Sequence, residues 1–65
     1  MNFETLKKGD LIQGVLSKVK YIYEGLTFDG KKVYVKMRSL DSEKYHLVDY
    51  ATACYIFEEV KDDNK

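Results

Sequence analysis

The chain has 65 residues, with 11 Lys or Arg balanced by 11 Asp or Glu, one cysteine and one histidine. A chain of this length buries roughly 60% of the surface its unfolded form exposes, so a second core is excluded. The lone cysteine excludes an internal disulfide, the lone histidine leaves no recognisable zinc-ligand set, and no apolar run reaches the roughly 20 residues that cross a bilayer as a helix.

In chain order, the charged start MNFETLKKGD carries no secretory apolar region, which points to a cytoplasmic protein, and its "KKGD" at 7 to 10 reads as a turn. "DLIQGVL" at 10 to 16 has the β-branched and apolar bias of a strand, with Gly14 a candidate bulge or bend. Residues 18 to 38, "KVKYIYEGLTFDGKKVYVKMR", alternate lysine with aromatic and aliphatic residues. Two-residue hairpin turns at Glu24-Gly25 and Asp29-Gly30 predict a three-stranded meander there, Asp-Gly being a favoured hairpin signal. Tyr23 is then expected opposite Leu26, Phe28 opposite Lys31 and Leu26 opposite Val33.

Side chains alternate along a strand, so this folding sorts Val19, Tyr21, Tyr23, Leu26, Phe28, Val33, Val35 and Met37 to one face. Lys18, Lys20, Ile22, Thr27, Lys32, Tyr34, Lys36 and Arg38 fall on the other. From Ser39 onward, a helix with Leu47, Tyr50, Ala51, Cys54 and Phe57 on one stripe and Ser42 as its cap competes with two strands, "YHLVD" and "CYIFEEV", joined near Tyr50 to Ala53. Tyr, His, Val, Thr, Cys, Ile and Phe are mediocre helix formers, which favours the strands. The expected fold is therefore all-β, a small five-stranded SH3-like or OB-like barrel spanning residues 1–60, with a flexible acidic tail at 61–65. The alternative is α+β, a three-stranded meander with a C-terminal helix.

Zero net charge hides a division. Residues 1–38 hold eight Lys or Arg against four Asp or Glu, and residues 39–65 hold three against seven. Lysines and arginine on a strand face neutralise phosphates, and an interleaved aromatic can stack on a base. Lys18, Lys20, Lys32, Tyr34, Lys36 and Arg38 are accordingly the expected nucleic-acid-binding residues of a non-enzymatic module. The same cations also suit solvated strand positions that discourage edge pairing. Two other functions fit: a protein-interaction module, such as a small regulator or inhibitor of a larger protein, or an oligomer binding a small anionic ligand. Chains this short commonly add a second subunit for stability, so self-association is also expected, and exposed tyrosines are its first interface candidates.

"GDLIQGVLSKV", residues 9 to 19, sets Gly-Asp before apolar residues at Ile12, Leu16 and Val19, with Gly14 among them. This segment resembles the first strand of S1-type OB domains, which are RNA-binding modules whose first strand bends at the second glycine. The resemblance implies an OB-like barrel and RNA as the ligand. His46 and Cys54 have no third orienting group beside them in the sequence, so Cys54 reads as a small core residue rather than a nucleophile. No phosphate-cradling glycine loop occurs, and neither cofactor nor metal is expected.

Overall fold

A computed structural model describes residues 3–60. A short 3-10 turn, Phe3–Thr5, precedes β1 (Leu11–Gly14), β2 (Lys20–Asp29), β3 (Lys32–Ser39), β4 (Tyr45–Asp49), α1 (Tyr50–Ile56) and β5 (Phe57–Glu59). All five strands join one antiparallel sheet in the order β4-β3-β2-β1-β5. The domain is thus mostly sheet with one short helix. β4 and β5 are its two edges and do not pair with each other, so the sheet is open rather than closed on itself.

The expected turn at Glu24-Gly25 does not exist. β2 runs through it as one bent strand, and Gly25 lies at a β-bulge where the register against β3 shifts between Tyr23 and Gly25. Gly25 takes φ +117°, which a side chain rarely tolerates, whereas Glu24 keeps a negative φ. A tight reversal of the favoured type would need φ > 0 at both residues, or at the first of them, so Glu24 cannot lead one. The second turn forms one residue later than expected. Asp29 pairs with Lys32, leaving Gly30 and Lys31 at the tip; Gly30 has φ +63° and Lys31 does not, the pattern of a II′ turn. Consequently Phe28 faces Val33 and Leu26 faces Val35.

The face assignment survives both changes, for a physical reason. A two-residue reversal and a one-residue bulge each put Tyr23 and Leu26 on the same side, and the β2–β3 register differs from the expected one by two residues, which preserves side-chain parity. Tyr23, Val35 and Met37 are buried, with Tyr21 and Leu26 packed beside them. Phe28, at 70% exposure near the hairpin tip, and Val19, outside any strand, are not covered.

The inner face is sealed by segments far apart in sequence. Phe3 (1% exposed) stacks on Tyr23 with ring centres 5.8 Å apart and meets the edge of Tyr50 at 5.8 Å. Leu6, Ile12, Ala53 and Phe57 complete the core. Beyond Ser39 each sequence reading is partly realised. YHLVD is the expected strand β4, but Tyr50–Ile56 is helical where the favoured reading has a connection at Tyr50 to Ala53 and the start of a strand at Cys54, and only Phe57–Glu59 returns to the sheet. Asp49, not Ser42, caps that helix, its Oδ2 accepting from the N–H groups of Ala51 (3.1 Å) and Thr52 (3.3 Å). This cap and the burial of Ala53 offset the weak helix propensity of the segment. Tyr50, Cys54 and Phe57 do reach the core, whereas Leu47 faces solvent. The expected acidic tail at 61–65 lies outside the described residues.

Candidate interaction surfaces

Strand pairing assembles the outer face of the sheet row by row. Lys20 lies beside Gln13, which lies beside Glu58; Leu11, Ile22, Arg38 and Tyr45 form the next row. Lys36 sits between Gly25 and Leu47, Tyr34 between Thr27 and Asp49, and Lys32 beside Asp29. Five of the six expected nucleic-acid-binding residues, Lys20, Lys32, Tyr34, Lys36 and Arg38, therefore share one face. Lys18 is not in the sheet. It occupies the β1–β2 loop with φ +62°, an uncommon conformation for a lysine, and the loop closes through Lys18 N–H to Gly14 C=O (3.0 Å) and Gly14 N–H to Val19 C=O (2.9 Å). Gly14 ends β1 rather than bending it, and a Cβ there would collide with Ser17 Oγ.

Acids interleave with these cations. Arg38 Nε donates to Glu24 Oε2 at 3.0 Å with both side chains largely covered, and Lys18 Nζ donates to Glu58 Oε2 at 3.2 Å. Gln13 Nε2 donates to the same Glu58 oxygen at 2.6 Å. The hydrogen bonds from Gln13 and then Lys18 hold the Glu58 carboxyl below its ordinary pKa. Lys36 Nζ stands 4.6 Å from the centre of the Tyr45 ring, a cation–π contact. Two of the expected phosphate-binding cations are thus held by carboxylates and a third by a ring, so the face is a mosaic of both signs.

The tyrosines divide as core, rim and surface. Burial, and secondarily the proximity of Tyr50, raises the pKa of the Tyr23 hydroxyl. Tyr50 is raised as well, by desolvation first and then by Cys54 and Glu4. Tyr21 is half-buried, with the His46 ring edge-on at 5.6 Å and Phe57 at 5.7 Å. His46 is therefore an aromatic packing partner, and Cys54 is a half-buried neighbour of the core. Tyr45 and Tyr55 are exposed, the latter at 84%.

Tyr55 belongs to an apolar surface that the sequence reading did not assemble. Val15 and Leu16 in the β1–β2 loop, with Tyr55 and Ile56 at the end of α1, border an open cleft of about 490 Å³ floored by Tyr21 and Phe57. The two walls are tied by the Val15 N–H donating to Ile56 C=O at 2.8 Å. Leu16 is 94% exposed. Its signal in the sequence was an aliphatic pair, Val15-Leu16, inside a stretch bounded by Gly14 and Ser17-Lys18, which the strand reading absorbed. No group of three or more metal-ligating side chains occurs among the described residues, and no helix among them is long and apolar enough to cross a membrane. Neither a protein-family model, nor a curated protein, nor a solved structure matches this chain.

Proposed function

We propose that this chain is a non-enzymatic, SH3-like β-domain of the cytoplasm that works by docking onto another protein. The SH3-like reading is supported by the consecutive pairing of β1 to β4 with β5 returned beside β1, in contrast to the Greek-key path of an OB fold. One observation carries the docking function. Leu16 and Tyr55, the two most exposed large apolar side chains among the described residues, stand on one cleft with aromatic residues at its floor. Contiguous apolar surface of this kind marks interaction sites, and a Leu or Tyr left in water gains free energy on being covered. The partner is a protein segment presenting an apolar side chain to the cleft.

A second reading, nucleic-acid binding through Lys20, Lys32, Tyr34, Lys36 and Arg38 with Lys18 at the margin, is favoured by their shared face and weakened by the interleaved acids. Affinity capture from lysate with and without nuclease separates the two. Protein partners retained after nuclease and lost with Leu16→Ser and Tyr55→Ser support docking. Complexes lost on nuclease treatment, together with single-strand binding that weakens steeply with salt, would replace it with the second reading.

A further inference from the structure

The two edges of the sheet are built differently. β5 has three residues, two of them glutamates, and is too short to template another strand. β4 has five, Tyr45–Asp49, paired with β3 in unbroken register. It carries no proline, bulge or lysine, the usual devices that keep an edge from pairing. Among the described residues nothing pairs with its outer side.

Hydrogen bonding fixes which backbone groups that edge offers. Ser39 N–H donates to Lys44 C=O (3.1 Å), in line with the β3–β4 register. Alternation along an antiparallel ladder then makes Met37–His46 and Val35–Val48 the bonded pairs, so Tyr45 and Leu47 turn their N–H and C=O groups outward. Asp49 has the same phase, and the three positions are symmetric about Leu47.

We propose that β4 is a self-recognition edge, to which a second copy of this chain adds its own β4, antiparallel, about a two-fold axis at Leu47. Leu47 exchanges both backbone bonds with Leu47 of the second copy, and Tyr45 comes opposite Asp49. A second copy suits the edge better than an unrelated strand because the charges match under that symmetry. Lys36 holds its ammonium over the Tyr45 ring, and the two-fold sets the second copy's Asp49 directly across from that ring. Both cap bonds of Asp49 end on Oδ2, so Oδ1 is left to receive Lys36. Each contact occurs twice, and two leucines, each 56% exposed, cover one another.

The test is light scattering of the full chain over a concentration series, beside Leu47→Lys, which sets two ammonium groups face to face at the axis, and Leu16→Lys as a control on the other surface. A mass that doubles with concentration is expected, with the dissociation constant raised at least about tenfold in Leu47→Lys and unchanged in Leu16→Lys. Leu47→Cys in a Cys54→Ala background should cross-link to a dimer with a short bis-maleimide, while Lys31→Cys at the hairpin tip should not. A monomer at millimolar concentration overturns the proposal. So does a dimer that ignores Leu47→Lys and leaves Leu47→Cys uncross-linked.

Discussion

The inner and outer faces of the sheet are held by different physics. Inside, Tyr23, Val35 and Met37 meet Phe3, Ile12, Ala53 and Phe57 with almost no access to water, and a close-packed interior of this kind resists any change of volume. Outside, Lys18–Glu58 pairs charges in solvent, where screening leaves an ion pair little net worth, and Arg38–Glu24 is the more covered of the two. The stability of the domain therefore rests on its inner face, and the outer face is available for recognition. A small core rarely supplies more than about 3–5 kcal/mol in total, so the contrast is open to direct measurement.

The largest effect is expected from Phe3→Ala, which removes a ring buried between Tyr23 and Tyr50 and should cost about 3–5 kcal/mol, enough to unfold the chain. Urea titration followed by circular dichroism reads this. A midpoint close to the parent's would mean that the inner face is not the seat of stability. Next comes Gly25→Ala at the bulge that keeps the two faces in phase. Space is open for the Cβ, but φ +117° is strained for any side chain, so a loss of about 1–3 kcal/mol is expected. A neutral result would show that β2 can bend without its glycine.

The smallest effect belongs to the outer face. Glu58 has a lowered pKa in the folded state, so its contribution is fully present above the ordinary glutamate pKa of the unfolded chain and is lost as pH falls through the folded value. Glu58→Gln should therefore be nearly as stable as the parent at acid pH, show its deficit at neutral pH, and give a flatter stability profile across the acid limb. Parallel profiles for the two proteins would detach Glu58 from the stabilising network.

The sorting of residues to two faces was legible in the sequence because alternation depends only on parity, which the bulge and the shifted hairpin both respect. The strand boundaries were not: five strands were expected and five form, but Glu24-Gly25 can bend a strand as readily as reverse one, and only tertiary pairing decides which segments they are. The helix at Tyr50–Ile56 ranked only as the alternative because several of its residues favour strands, while its cause, the Asp49 cap and the burial of Ala53, depends on where β4 ends. Phe3 gave no periodic signal, and its role follows from a gap between β2 and α1 that no local pattern describes. Of the candidate surfaces, the shared face of Lys20, Lys32, Tyr34, Lys36 and Arg38 could be read directly. The acids brought among them from β5 and the bulge could not.

The pairing of β5 with β1 has a kinetic consequence. Gly14 finds Phe57 only by closing a loop of more than forty residues, and until then β1 has β2 on one side and bare backbone on the other. Closure of so long a segment delays the last ladder relative to the local hairpins. For that interval the chain presents a transient sticky margin at β1, and the rate at which three residues of β5 arrive governs how long newly made molecules are vulnerable to clumping.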